Sequence, residues 1–392
     1  MIRVGFIINF RVNGWLGGIN YYRNLINAVC TNKDRKIEPV IFTGYDCNAK
    51  DFENFSDVEI IKNHIFDLIH PYSIICQVIK RIIHRDVLLE RLLKKNNISV
   101  LSHYGSLGNK SQIPTIGWIP DFQHKYLPEF FSNTEVLGRD RGFQITCKEC
   151  TRVIFSSNAA KKDAEKFYHA YAKKYRVLHF VTGNMDLDVL PDFDSLKKKY
   201  QIKYPYFIVP NQFWIHKNHT VILEALKILK SQEKSIFIIA TGNIADYRQP
   251  EYFITLQNKI KDDDISENFK VLGVVPYKDL LQLMIHSIGV INPSLFEGWS
   301  TSVEEAKSLN LNIILSDIPV HREQNPQHGI FFPPHDPQRL ADILFECQKD
   351  PITYPEMNLL EEVTEKLNRQ KKVFALYYEI IVLDTLTRFR CG

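Results

Sequence analysis

At 392 residues the chain is too long for one comfortable hydrophobic core, so two domains are expected. Apolar residues make up 45% and charged residues 24%, the balance of a folded globular protein, and a net charge of +4 gives no reason to expect a nucleic-acid partner. No apolar run approaches the roughly 18 residues of a membrane span, the opening MIRVGFIINFRVNG has too short an apolar segment for a signal peptide, and seven scattered cysteines suit a reducing, cytoplasmic setting.

In chain order, Arg3 to Ile8 reads as a first strand and Asn9 to Leu16 as the loop after it. Gly17 and Gly18 then open a helical pattern carrying Tyr21, Tyr22, Leu25, Ile26 and Val29. A glycine pair between a first strand and a first helix lets a phosphate approach the backbone. Pro39 to Thr43 is a second strand. From Pro71 to Asn96 the pattern is helical, with Ile74, Ile75, Val78, Ile79, Ile82 and Ile83 interleaved with Lys80, Arg81, His84 and Arg85. That stretch is either a surface helix on the sheet or a basic amphipathic face for anionic lipid. Ile98 to Ser102 is a short strand whose end presents His103 and Tyr104 at the sheet's binding edge. Ile113 to Ile119 runs into PDFQHKYLPEFFS, which offers Asp121 and His124. Cys147 and Cys150 form a C-x-x-C without a second pair, a structural feature rather than a metal site. Val153 to Ser156 is a strand, Ser157 and Asn158 cap a helix reaching about Tyr171, and Tyr175 to Phe180 closes the first half. Val181 to Asp194 reads as a linker.

The second half repeats the alternation. Phe207 to Val209 is a strand, and the loop NQFWIHKNH, with Gln212, His216 and Lys217, leads into a helix. Ser235 to Thr241 and Phe269 to Val274 are further strands, the latter followed by Val275 and Pro276. After a helix over Asp279 to His286 comes the richest stretch of the chain, NPSLFEGWSTSVEEAKSLNLNIILSDIPVHRE, from Asn292 to Glu323. Ile288 to Asn292 suits a buried strand, and Pro293 to Trp299 a loop. Ser300, Thr301 and Ser302 stand at a helix start, because Val303, Ala306 and Leu309 follow at helical spacing. Asn310 stops that helix, and Ile313 to Leu315 is the next strand. Open sheets of this kind bind ligands at the carboxyl ends of their strands. There Glu297 can reach a reacting centre, while Glu305, on the helix, can accept two hydrogen bonds from a vicinal diol such as a ribose. The helix N-terminus between them attracts phosphate. Ribose, phosphate and a reacting sugar in a row describe a nucleotide sugar.

The run SLFEGWSTSVEEAK followed by SDIPVHRE resembles the E-x7-E region of retaining glycosyltransferases of family 4, the glycosyl transferases group 1, which have the GT-B fold. The resemblance implies two Rossmann-like domains with parallel sheets facing across a cleft: residues 1–183 on the acceptor side, 184–372 on the donor side, and a helix over 373–392 returning to the first. It implies a nucleoside-diphosphate sugar as donor, a saccharide or lipid-linked glycan as acceptor, and no metal or other cofactor. Gly17 and Gly18 match the loop that faces the donor diphosphate. Lys217 matches the diphosphate lysine, but Gln212 stands where an arginine is usual, and His216 is the nearest group to make up the charge. Backbone around Gly273 and Val275 would face the base, Glu305 the ribose, and Gly298 to Ser302 the phosphates. Glu297 would face the sugar. Many relatives have His-Asp where this chain has Pro120-Asp121, so either His124 takes that part or Asp121 acts alone. The fold class also admits an inactive nucleotide-sugar sensor or a nucleotide-sugar epimerase. Dinucleotide, P-loop, HExxH and GxSxG signatures are missing, and the two D-x-D pairs, Asp186-Leu187-Asp188 and Asp192-Phe193-Asp194, fall in the linker. Peripheral contact with the inner face of a membrane is a further expectation.

Overall fold

The structure is a computed structural model that describes every residue except 10–15, 49–51, 54, 56, 109, 184, 186, 203–204, 350–357 and 392, and leaves aside the side chains of 16, 188 and 358–361. The chain divides into two compact units: residues 1–122, 133–183 and 368–392, and residues 123–132 and 184–367. Most of the loop expected over Asn9 to Leu16, together with Asp186 and the side chain of Asp188, lies outside what is described.

The first unit is built on seven parallel strands: β1 Ile2–Ile7, β2 Ile37–Thr43, β3 Glu59–Lys62, β4 Val100–Ser102, β5 Thr115–Ile119, β6 Arg152–Phe155 and β7 Tyr175–Val177, in the order β3-β2-β1-β4-β5-β6-β7. The second has six: β8 Phe207–Pro210, β9 Ile238–Thr241, β10 Phe269–Gly273, β11 Val290–Asn292, β12 Ile313–Ser316 and β13 Gly329–Phe332, ordered β10-β9-β8-β11-β12-β13. Runs such as Val40-Ile41-Phe42 and Ile313-Ile314-Leu315 are fully buried, as strands covered on both faces require. In both sheets the strand order reverses direction beside the first strand, between β1 and β4 and between β8 and β11. These are the switch points at which an open sheet leaves a crevice. Each unit is a Rossmann-like α/β domain.

The helical stretch expected over Pro71 to Asn96 is two helices, Pro71–Ile83 and Val87–Lys95. His84 between them is left-handed, with φ 55°, and the Asp86 side chain accepts the Leu89 N–H to start the second. A polar pair at the joint outweighed continuous periodicity. The helix Asn133–Glu149 carries no strong apolar stripe and was not foreseen, nor were β3 and β13. Cys147 and Cys150 are buried free thiols, pushed up to about 11 and about 12 by burial. The final helix runs over Asn358–Cys391. Val363 and Leu367 belong to the second unit's core, whereas further along Tyr378 donates to Ser102 Oγ at 2.7 Å and Asp384 pairs with Arg152 at 2.6 Å, both within the first unit.

Candidate nucleotide-sugar site of the second unit

Two buried asparagines sit at the switch point of the second sheet. Asn211 follows β8, Asn292 ends β11, and the strands pair with Ile208 beside Val290. Asn211 Nδ2 donates to Asn292 Oδ1 at 3.3 Å. Asn292 Nδ2 in turn donates to the hydroxyls of Ser300 at 2.7 Å and Ser302 at 3.3 Å. The helix Thr301–Ser308 therefore starts where the sequence placed it, but for a different reason. Ser300 holds the N-cap position with an extended backbone, and its hydroxyl makes no capping bond because Asn292 has taken it. The Ser300 side chain does not cap that helix N-terminus, whose positive end favours an anion.

The loop after β11 is tied down by Ser294, whose hydroxyl lies 2.8 Å from Asn292 Oδ1 and 2.7 Å from Glu297 Oε1. One hydroxyl proton serves only one of these acceptors at a time. The second donor to Glu297 Oε1 is Lys217 Nζ, at 2.5 Å. Lys217 closes a short turn over Ile215–Lys217, and Asn218 next to it is left-handed, with φ 55°. The Asn218 amide donates to Pro293 O at 3.1 Å and Pro334 O at 2.8 Å, and Leu295 N donates to His216 O at 2.8 Å. The loops after β8 and β11 are thus sewn together, with the lysine and the glutamate facing each other.

Burial alone would push the Glu297 carboxyl up. The Lys217 ammonium and the hydrogen bonds from Lys217 and Ser294 outweigh it and hold the carboxyl below its usual range. Glu297 is therefore a carboxylate at neutral pH. His321 is fully buried with Nδ1 2.9 Å from Ser316 O, and burial lowers its pKa, so it is neutral beside the ion pair. Glu305 is different. It sits half-buried on the second turn of the helix, and its carboxyl is pushed up to about 7 by burial, against a hydrogen bond that Tyr277 donates at 2.9 Å.

The remaining candidates fall as follows. Gln212 and His216 share the loop with Lys217; His216 is buried, and burial with the neighbouring Lys217 and Arg248 charges drives its pKa far down. His216 therefore does not make up the charge missing at Gln212. A guanidinium does lie beside the loop. Arg248, from the segment after β9, is within 4.9 Å of the Trp214 ring and 4.8 Å of the Phe131 ring, and donates to Gln123 Oε1 at 3.4 Å. Gly273 ends β10 with φ +69°, a turn glycine makes without strain, and Val275 follows it half-buried. Gly298, Trp299 and Thr301 are half-buried around Glu297 and the helix start.

Sites expected in the first half are more scattered. Gly17 and Gly18 lie in the first turn of the helix Leu16–Thr31, and a side chain at Gly17 would meet open space. His103, left-handed with φ 56°, has both ring nitrogens engaged: Nε2 with the Tyr21 hydroxyl at 2.7 Å and Nδ1 with Ser102 Oγ at 2.8 Å. Burial holds it neutral, at about 3. The Tyr104 hydroxyl accepts from Lys80 at 3.1 Å. Asp121 follows β5 half-buried, while His124 is fully buried in the second unit, edge-on to Phe131 at 6.4 Å. Among the described residues no three His, Cys, Asp or Glu side chains converge as a metal site would require.

Sequence reasoning missed Asn211, Ser294, Tyr277, Arg248 and His321. Only the asparagines left a signal, as polar residues closing apolar strands.

Residues 192–366 match the family model described as Glycosyl transferases group 1, and the two Rossmann-like units are those of the GT-B fold. That match covers most of the second unit. Among curated proteins the chain is similar to the O-antigen chain mannosyltransferase RfbU of Salmonella typhimurium, 23% identical over 193 residues. That match spans 49% of this chain and about half, 50%, of the relative's own length. Among solved structures it is similar to a glycosyltransferase from Rickettsia africae, with TM-score 0.67 and 16% identity over 99% of this chain and 98% of that one. HepE from Anabaena, in complex with UDP and glucose, has TM-score 0.62 and 15% identity over 96% of this chain and 95% of that one.

Proposed function

We propose that the protein is a retaining glycosyltransferase that moves a hexose-like sugar from a nucleoside-diphosphate donor to a hydroxyl of a saccharide or lipid-linked glycan. The observation that carries this reading is the pairing of Lys217 with Glu297 at the switch point, followed in the chain by a helix whose N-cap Ser300 makes no capping bond and whose second turn carries Glu305. Lys217 and that N-terminus would take the diphosphate, stabilising the charge that develops as it leaves. Glu305 would hold the ribose. Glu297 would face the sugar, where a carboxylate interacts more strongly with the cationic transition state than with the neutral ground state. The lysine and the helix dipole supply the positive charge for which other transferases use a metal. The similarity to an O-antigen mannosyltransferase supports a surface-polysaccharide product. A panel of UDP-, GDP- and ADP-sugars tests the reading: one donor should release its diphosphate when acceptor is present. Binding of a donor with no release under any acceptor would favour a sensor instead.

One observation also favours a membrane-surface location. The helix Pro71–Ile83 buries only Ser73 and Cys76 and turns Ile74, Ile75, Val78, Ile82 and Ile83 outward, with Ile69 before it 86% exposed. The basic residues expected to drive lipid contact are partly spent elsewhere: Lys80 pairs with Asp86 at 3.2 Å and Arg85 with Glu90 at 2.5 Å. Apolar area rather than charge would seat this face in the headgroup region, on the cytoplasmic side. Among the described residues no helix is long and apolar enough to cross a membrane.

A further inference from the structure

We propose that Tyr277 is a positioning residue that presents Glu305 to the donor's ribose and links the base side of the site to the ribose side. The proposal rests on Glu305 being the ribose carboxylate. Tyr277 is the first residue of the helix Tyr277–Ile285, four residues after Gly273 turns the chain out of β10 with φ +69°. Its hydroxyl reaches across to the helix Thr301–Ser308 and donates to Glu305 Oε1 at 2.9 Å. The neighbouring Glu304 is not available to compete, because it accepts from Lys307 at 3.0 Å and from Gln324 at 2.9 Å.

The ring of Tyr277 is 41% exposed, so burial of apolar area does not account for its placement. A hydroxyl that can be solvated gains little by reaching a half-buried carboxylate unless the carboxylate must be held. A glutamate side chain otherwise rotates freely about its last bonds, and a diol needs both oxygens presented in one plane. The phenol takes one of about four lone-pair sites on the carboxylate and leaves the others for the ribose hydroxyls. A phenol is protonated at neutral pH, so Tyr277 donates. The loop that carries Tyr277 also carries Val275, so a base seated against this loop and a ribose on Glu305 would be placed by one rigid connection.

The test compares wild type, Tyr277→Phe and Glu305→Gln. Calorimetry with UDP, GDP and ADP identifies the nucleotide that binds, and its 2′,3′-dideoxy form then serves as the second ligand. The readout is the ratio of the two dissociation constants, which a general loosening of the fold leaves unchanged because it weakens both ligands alike. Wild type should prefer the ribose form by about tenfold or more, and Glu305→Gln should lose most of that preference. Tyr277→Phe should reduce it about three- to tenfold while binding the dideoxy form as wild type does. An unchanged ratio in Tyr277→Phe, with the preference lost in Glu305→Gln, overturns the role of Tyr277 alone. A preference that survives in Glu305→Gln overturns the ribose assignment and the present proposal with it, as does wild type that binds none of the three nucleotides.

Discussion

Lys217 Nζ and Glu297 Oε1, from loops on neighbouring strands, lie 2.5 Å apart, so the group assigned to the donor's diphosphate and the group assigned to its sugar are paired with each other. Both side chains are largely buried, and the glutamate is also held by Ser294 at 2.7 Å. A carboxylate in that position is stable only because the ammonium is there. The ammonium therefore keeps Glu297 ionised before any donor arrives.

Lys217→Ala should weaken a nucleoside diphosphate by about 1.5–3 kcal/mol, the worth of a charge-assisted bond, and the nucleoside hardly at all. It should also raise the Glu297 carboxyl, which would then be buried without its ammonium. Calorimetry with both ligands checks the first expectation. Equal losses for the two would take Lys217 off the phosphates.

Donor affinity should rise with pH between about 6 and 8. The carboxylate form of Glu305 accepts the ribose hydroxyls, and burial pushes that carboxyl up to about 7, so the competent form fills as pH passes through this value. Below it the protonated acid can accept fewer bonds. Glu305→Gln should flatten the profile between pH 6 and 8. A wild-type dissociation constant independent of pH over this range would contradict the assignment.

Ile75→Glu with Ile82→Glu should abolish sedimentation with anionic vesicles, since both side chains are more than half exposed on the outward face. Lys80→Gln should have the smaller effect on vesicles, because its ammonium is paired with Asp86 rather than offered to lipid. Wild-type protein that stays in the supernatant would end the membrane reading.

Two features of the candidate site came from the sequence: two acidic residues in fixed register across a strand, loop and helix, read from local spacing, and a lysine in the loop after β8, drawn from the family resemblance. The strands flanking them were equally plain, as short apolar runs between polar loops. What joins them was not legible. The Asn211–Asn292–Ser300 chain depends on two strands distant in sequence becoming neighbours at the switch point. The Tyr277–Glu305 bond likewise spans the gap between two separate helices. Ser300 shows the limit of local reasoning most clearly. Its position as a cap follows from the helix pattern, but a distant asparagine decides what its hydroxyl does. His103 was read from its place at a strand's end and His124 from a family pattern, and folding placed one in a closed hydrogen-bond set and the other fully inside the second unit.

The most direct measurement is turnover and donor dissociation constant for Glu297→Gln beside wild type, with the donor identified by the panel. Gln keeps the shape and an acceptor for Ser294 but removes the charge from the sugar face. Turnover should fall on the order of 10²–10³-fold, while affinity for the donor stays close to wild type. Near-normal turnover together with a raised donor dissociation constant would make Glu297 a binding group only and contradict its assignment to the transition state.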